Sequence, residues 1–500
     1  MKNYIYILLL CTLPIQLMGQ ASQPSLGLEQ VIELAQERSI PAIRAKHKYL
    51  LSYWRYRHFK ASYLPYISLN TNPINFNRSV IQRFDSEKNR DVFLPQQNIY
   101  SNANLSLYQR IGLTGGSVFL DSDIGRLQNI GESPITTYSV APIRLGLIQP
   151  LFGFNEQKWE KQLEPLAFEL AKKTYVADLE SISLQVITLF FELLTLQNEY
   201  HLACENVTIA DTLLGIARER LALGTLTQDD VLELELRQLN SQSVQSKTEV
   251  ELRKTQAILN NFLGLAGQND LKLHLPENLI TLTIDPNKAL SLARNNHPII
   301  LQGKYDKIVV DQEAEKTQKE NGFSTEIRAS IGLNQTNNSF SGAVNDLLDQ
   351  EQINVSISIP ILDWGRRKGR SKMAQSQQAL VRAEVNQIQT DFERDIRIQV
   401  AQYSIQTTQV SKAKQSKSLA ERRYEITRQR FLFGNIDLLK LTNAIQAKNQ
   451  TQRQYIQSLQ EFWENYYTLR YLTLYNFETE SGLTVNMDKV IRQSSTSRSF

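Results

Sequence analysis

The stretch ARERLALGTL (residues 217–226) recurs as TRQRFLFGNI (residues 427–436), 210 positions further along the chain. A second pair of stretches, QPLFGFNEQK from Gln149 and IPILDWGRRK from Ile359, has the same offset. Chance could produce either match alone, but two matches in one register indicate an internal duplication. A weaker match between residues 26–41 and 282–298 supports it. We therefore expect a first repeat over residues 22–265 and a second over residues 282–475.

The segments between these motifs predict very long helices. Residues 156–222 and 366–433 contain almost no helix breakers, so each would span about 100 Å at 1.5 Å per residue. Their apolar residues recur with an average spacing near 3.5, which is typical of a coiled-coil seam. The seam residues are Val186, Phe190, Leu193, Leu196, Tyr200, Ala203 and Val207 in the first helix, and Phe392, Ile396, Val400 and Tyr403 in the second.

Each long helix is predicted to turn back at a glycine. Gly224 and Gly434 follow the helical runs, where a left-handed residue commonly ends a helix. Thr227 and Asp437 lie three residues later and are good N-caps for returning helices near 228–264 and 438–475. The sequence therefore predicts two antiparallel helical hairpins.

Alternating segments predict strands near 63–72, 140–150, 325–334 and 352–361. Each is about nine or ten residues long, the length of one tilted membrane crossing. Candidate membrane-interface residues follow the strand ends: Pro150, Phe152, Phe154, Pro360 and Trp364. Half-buried strands of a soluble sandwich are the alternative.

About four strands are too few to close a barrel, because single-chain membrane barrels begin at eight strands. A sheet exposed to lipid cannot leave its edges unpaired, so three chains would have to join. An alternating segment over residues 103–124 leaves open whether a further hairpin adds strands. The predicted fold class is mainly α, with a membrane β-barrel that three chains share.

The two ends of the chain are interpreted separately. Residues 1–20 contain a cationic start, an apolar run and small residues, the pattern of a secretory signal peptide. No run beyond it approaches eighteen consecutive apolar residues, which argues against a helical membrane protein. Residues 481–500 are polar and end in SSTSRSF, so we expect a disordered tail.

Composition argues against several functional classes. The net charge is only +4, which does not favour nucleic-acid binding. Two cysteines and five histidines without metal-ligand spacing predict no metal site. No nucleophile or phosphate-binding motif is present, so we expect no catalytic residues, no cofactor and no enzymatic activity.

The duplicated opening, the strand-end turns and the two hairpin tips together resemble the TolC-like outer membrane efflux proteins, over about residues 26–475. The resemblance implies a homotrimer in the outer membrane, with a large periplasmic helical tube that docks onto a periplasmic adaptor protein and an inner-membrane pump. It implies passive passage in a tripartite efflux pump or type I secretion system. The alternative is a soluble periplasmic coiled-coil scaffold or adaptor.

In the family, paired acidic residues six and nine positions after the second tip glycine narrow the pore. Here those positions hold Lys440 and Asn443, so the chain departs from that pattern. The equivalent residues of the first hairpin are Asp230 and Glu233. We expect Asp230, with Asp229, to pair with Lys440, the alternative being solvated charges at the helix starts. Candidate adaptor contacts are the tip residues Gly224, Thr225, Leu226, Thr227, Gly434, Asn435, Ile436 and Asp437.

Overall fold

The computed structural model describes residues 25–87, 89–130, 134–265, 271–276, 279–433 and 435–496. The signal peptide predicted for residues 1–20 and the tip residue Gly434 lie outside these ranges. The helices are α1 Leu28–Arg38, α2 Ile40–Ser62, α3 Glu156–Ala222, α4 Gln228–Phe262, α5 Pro286–Asn296, α6 Pro298–Glu320, α7 Phe340–Asn345, α8 Arg366–Leu432, α9 Leu438–Thr473 and α10 Met487–Thr496.

The strands are β1 Ser25–Leu26, β2 Tyr66–Asp85, β3 Arg90–Ile111, β4 Gly116–Asn129, β5 Thr136–Leu151, β6 Lys272–Leu273, β7 Ser324–Asn337, β8 Leu348–Ser358, β9 Tyr475–Asn476 and β10 Ser481–Gly482. Six of them form one antiparallel sheet in the order β2-β3-β4-β5-β7-β8. Within the chain, β2 and β8 are the edges of this sheet.

The strand count corrects the expectation of about four per chain. The segment that was left open at residues 103–124 lies within β3 and β4, and these strands pair with β2 on one side and β5 on the other. The alternation of residues 103–124 indicates strands, but it does not show which strands they pair with, because pairing depends on partners elsewhere in the chain. The hairpin belongs to the sheet and is no separate appendage.

The element lengths repeat. Helices α1 and α5 each have 11 residues, α2 and α6 each have 23, and α3 and α8 each have 67. The returning helices α4 and α9 have 35 and 36 residues. Both halves therefore build the same antiparallel helical hairpin, as the offset of 210 indicates.

The two helical hairpins share one hydrophobic core. Its largest fully buried side chains include Phe190 and Phe191 of α3, Tyr403 of α8 and Phe462 and Tyr466 of α9. The seam predicted for the second long helix is confirmed, since Phe392, Ile396, Val400 and Tyr403 are all buried. Burial of this face against the partner helices stabilises helices too long for a single globular core.

Helix α3 is, within the described part of the chain, the one that is long and apolar enough to cross a membrane. Half of its apolar window is buried inside the fold, however. Val186, Phe190 and Leu193 have no exposed surface, because they belong to the shared core. Packing against other helices thus accounts for the apolar character of α3.

The expectation of a disordered tail is corrected as far as Thr496. Helix α10 packs Val490, with Met487 and Ile491 beside it, against Tyr49 of α2 and Tyr175 of α3. These three apolar residues recur only over one helical turn in a polar segment, so the sequence alone does not indicate the helix.

Candidate functional site: the hairpin tips and the amphipathic sheet

A glycine and a capping box form the turn between α3 and α4. Gly224 has a φ of +71°, in the left-handed region that favours glycine. The Asp230 N–H donates to Thr227 Oγ1 at 3.2 Å, and the Thr227 N–H donates back to Asp230 Oδ2 at 2.9 Å. The Thr227 hydroxyl, which also donates to Oδ2 at 2.6 Å, and this N–H hold the pKa of Asp230 below its usual value.

Asp437 caps the returning helix of the second hairpin. The Lys440 N–H donates to Asp437 Oδ1 at 2.8 Å, and Lys440 Nζ lies 3.7 Å from Asp437 Oδ2. The Asn435 N–H donates to the Arg430 carbonyl at 2.9 Å and closes the end of α8. Thr227 and Asp437 are thus both N-caps, as the sequence predicts.

The expected ion pair between Asp230 and Lys440 is not formed within the chain. Asp230 is bound to Thr227, and Lys440 Nζ lies beside Asp437. Each side chain prefers a group three residues away, because a local contact orders less of the chain than a contact between two tips. The other predicted constriction residues, Asp229, Glu233 and Asn443, are exposed on α4 and α9.

The two tips lie side by side at one end of the molecule. The Arg220 guanidinium donates to the carbonyls of Phe431 and Leu432 at 3.4 and 3.3 Å and lies over the Phe431 ring. Both hairpins contribute to a small apolar core beneath, which comprises Leu213, Leu214, Ala217, Val231, Leu234, Phe431, Leu441 and Ile445. The tips are therefore held as one unit.

The candidate adaptor contacts divide into two groups. Leu226 and Ile436 pack against the core beneath the tips. Thr225, Asn435 and Asp437 are exposed. The first pair therefore stabilises the turns, and the exposed residues form the accessible surface.

Two exposed apolar residues at the tips were not predicted from the sequence. Leu223 and Phe433 are 78% and 80% exposed and directly precede the tip glycines, at the offset of 210. The repeat contains a signal for this exposure, since α3 and α8 are each followed by an apolar residue that lies outside the buried seam. Each of the two tips therefore presents an exposed apolar side chain to solvent.

Exposed aromatic residues follow the sheet at the end nearest the long helices. Phe152 is 67% and Trp364 is 90% exposed, and both have a positive φ, +61° and +55°. Phe154 is half-buried, Pro150 lies within β5, and Pro360 is exposed two residues after β8. Large aromatic side chains in this position are typical of a membrane–water interface.

The sheet has one apolar and one polar face. Directly paired residues of antiparallel strands project to the same face. On one face of β7 and β8, Ile327 pairs with Val355 and Ala329 pairs with Ile353. On the other face, Glu326 and Arg328 pair with Ser356 and Asn354.

Comparison with known proteins gives independent findings on the family and the fold. Residues 290–473, most of the second repeat, match the family model described as outer membrane efflux protein. The chain resembles the outer membrane efflux proteins. This confirms the resemblance inferred from the duplicated motifs. No curated protein matches the chain in sequence.

Solved structures share the fold of this chain over nearly its whole length. The outer membrane channel CmeC of Campylobacter jejuni is 13% identical, with a TM-score of 0.64, and the alignment covers 94% of this chain and 89% of CmeC. The outer membrane protein VceC of Vibrio cholerae is 15% identical, with a TM-score of 0.61 and coverages of 91% and 96%. The outer membrane channel MtrE of Neisseria gonorrhoeae is 13% identical, with a TM-score of 0.60 and coverages of 91% and 89%. The likeness confirms the predicted fold class.

Proposed function

We propose that three copies of this chain form the outer membrane channel of a tripartite efflux pump or type I secretion system. The amphipathic six-stranded sheet, continuous with two long helical hairpins, is the observation that carries the proposal. The sheet would form a barrel in the outer membrane, and the hairpins would form a tube in the periplasm. The channel gives passive passage, and the inner-membrane pump supplies the energy.

The open edges of the sheet support assembly. Strands β2 and β8 each have one strand neighbour in the chain. A lipid-exposed sheet with unpaired backbone groups is costly, so β2 of one copy would pair with β8 of the next. A closed ring of copies satisfies both edges of every chain.

The tips would carry the contacts with partners. The exposed residues Leu223, Thr225, Phe433 and Asn435 would contact the periplasmic adaptor protein. The constriction candidates Asp229, Asp230, Glu233, Lys440 and Asn443 would lie around the closed end of the tube. Because Lys440 is not paired with Asp230 inside the chain, it would approach the exposed Asp229 of a neighbouring copy.

The strand-end residues would fix the depth of the protein in the membrane. Phe152 and Trp364 are exposed at the boundary between sheet and helices, where the periplasmic headgroups would lie. Their rings would be half in lipid and half in water, the position that large aromatic side chains favour.

A soluble periplasmic scaffold is the weaker candidate. Such a protein would have to cover the apolar face of the sheet with protein. In the chain, Ile353 is 80% exposed, and Val355 and Ile357 are exposed on the same face. A face of this kind fits lipid better than water.

The proposal predicts an outer membrane trimer whose gel mobility changes on heating. Ile353→Asp places a charge on the apolar face, at a cost below the about 2–4 kcal/mol of a lysine or arginine at the bilayer midplane, and we expect it to reduce the amount of heat-modifiable trimer. Asn354→Asp, the matched control on the polar face, should assemble like the wild type. Membrane fractionation followed by gel electrophoresis of unheated and heated samples measures both. Recovery of the mature chain as a folded, water-soluble monomer without detergent would refute the proposed function.

A further inference from the structure

The two repeats differ in length by more than one residue in the connection between their 23-residue and 67-residue helices. Residues 63–155 connect α2 to α3 in the first repeat, and residues 321–365 connect α6 to α8 in the second. The first connection is therefore 48 residues longer than the second, although the flanking helices have equal lengths. Strand β2 begins four residues after α2, and β7 begins four residues after α6, so these strands correspond. The β3–β4 hairpin is the addition.

The added hairpin is paired along both of its sides. Strand β3 pairs with β2 from Tyr66↔Tyr108 to Asp85↔Arg90, and β4 pairs with β5 from Ser117↔Ile148 to Gln128↔Thr136. A hairpin lying above the membrane would leave β2 to pair with β5 below it. Here β2 and β5 are separated along the length of the sheet.

One apolar row crosses the added strands without interruption. Leu107 pairs with Ile67 of β2 and with Leu120 of β4. Leu120 pairs with Leu145 of β5, and Leu145 pairs with Ile331 of β7. Because directly paired residues share a face, the added strands present the same apolar surface as the duplicated strands. Lipid is the solvent that suits this surface.

The opposite face of the added strands carries charge. The Ser106 hydroxyl donates to Asp121 Oδ1 at 2.5 Å, and Arg144 Nη2 of β5 donates to Asp121 Oδ2 at 3.0 Å. Asn104 Nδ2 lies 3.5 Å from Asp123 Oδ2. Charged residues are costly in lipid but are common in the water-filled interior of a barrel. This face is therefore the inner one.

We propose that the β3–β4 hairpin crosses the membrane as part of the barrel, so that three chains close a barrel of eighteen strands. The inference rests on the proposed function, which supplies the three copies and the membrane. Four strands per chain would give twelve, and barrel diameter grows roughly linearly with strand number, so the bore is about 1.5 times wider. The Asp121–Arg144 pair and Asp123 line this wider exit and meet the polar solutes that leave through it.

Cysteine labelling tests the position of the hairpin. In a Cys204→Ala background, the single variants Leu107→Cys and Ser106→Cys carry an environment-sensitive fluorophore in reconstituted trimers. We expect lipids with a nitroxide on the acyl chain to quench the label at Leu107→Cys, and a water-soluble quencher to act at Ser106→Cys. Leu145→Cys on β5, a strand present in both repeats, is the matched lipid-facing control.

The control separates the two levels of the proposal. Lipid quenching at Leu145→Cys and at Leu107→Cys supports a hairpin within the membrane. Lipid quenching at Leu145→Cys together with purely aqueous quenching at Leu107→Cys overturns the wider barrel and leaves the channel intact. Aqueous quenching at Leu145→Cys refutes the channel itself.

A deletion tests the predicted diameter of the barrel. Removing residues 84–131, which are 48 in number, gives the first repeat a connection as long as that of the second. Trimers of this variant should exclude polyethylene glycols from the outer mouth at a size about one third smaller in diameter than the wild type does. An unchanged exclusion size in assembled trimers contradicts the inference. If the deletion does not assemble, the fluorescence measurement on full-length chains decides.

Discussion

Arg470 and Glu180 form a buried ion pair that joins α9 to α3. Arg470 Nε and Nη2 donate to the two carboxylate oxygens of Glu180 at 3.1 and 3.0 Å, and the side chains are only 15% and 6% exposed. The guanidinium also lies over the Tyr467 ring. The pair links the two repeats, because α3 belongs to the first and α9 to the second.

Breaking this pair should destabilise the fold strongly. Glu180→Gln leaves the Arg470 charge buried without a counter-charge, so we expect the free energy of unfolding to fall by about 3–5 kcal/mol. The matched control is Glu199→Gln, whose exposed partner Arg453 is also on α9 and whose loss should cost less than about 1 kcal/mol. Circular dichroism of detergent-solubilised protein during chemical unfolding measures both. Equal effects would contradict the role assigned to burial.

His297 predicts a pH dependence of stability. Burial, followed by the nearby charge of Lys173, lowers the pKa of His297 from its ordinary value of 6.5 to about 4. Its Nδ1 accepts from the Ile299 N–H at 3.3 Å and caps α6, and its ring lies against Phe392 and Tyr471. Above pH 6.5 the side chain is neutral in both states. Between pH 6.5 and pH 4 only the unfolded chain gains the proton. The free energy of unfolding therefore decreases as the pH is lowered over this range, by about 3 kcal/mol in total.

His297→Asn tests this dependence. The asparagine side chain can keep the cap but does not titrate, so we expect a smaller loss of stability between pH 6.5 and pH 4 than in the wild type. His201→Asn removes an exposed histidine of α3 and should leave the dependence unchanged. Unfolding curves at several pH values compare the three proteins. The same slope in His297→Asn and the wild type would refute the assignment.

The helices show what periodicity can predict. Residues 156–222 were predicted as one helix, and α3 has these bounds. Long amphipathic helices are readable because burial follows a local period, as at Phe392 and Ile396. The strand register depends on partners far along the chain, so the number of sheet strands could not be read from residues 103–124 alone.

The candidate site was less predictable than the helices. The turn at Gly224 could be predicted, because a glycine after a long helical run marks a residue with positive φ. Within the chain Asp230 binds Thr227, three residues earlier, in a capping pattern that the local sequence already contains. The exposure of Leu223 and Phe433 is a result of the tertiary packing of both tips.

The tips make a prediction about gating. In the proposed channel, Lys440→Asp replaces a cation near the closed end of the tube with a carboxylate, beside Asp437 of its own chain and near Asp229 of a neighbouring copy. Repulsion should open the end, so we expect a larger single-channel conductance that magnesium ions lower again. Lys254→Asp, about 40 Å along α4 from Thr227, is the control and should conduct like the wild type. Unchanged conductance and no effect of magnesium in Lys440→Asp would remove Lys440 from the constriction.

At the scale of the whole molecule, the duplication is strict in the helices and relaxed in the sheet. The long arms α3 and α8 have equal lengths, whereas the sheet has four strands from the first repeat and two from the second. An added residue in one arm would move its turn by about 1.5 Å and rotate it by about 100° relative to the other turn. The tips of both arms would then no longer meet as they do at Arg220 and Phe431.

The direction of the chain limits how the sheet can change. Every antiparallel strand carries the chain from one side of the bilayer to the other, so one additional strand would deliver α3 to the cell exterior. Two additional strands return the chain to its starting side, as β3 and β4 do. Evolution can therefore change the circumference of such a barrel only in steps of two strands per subunit, while the distance of the helical tips from the membrane stays constant.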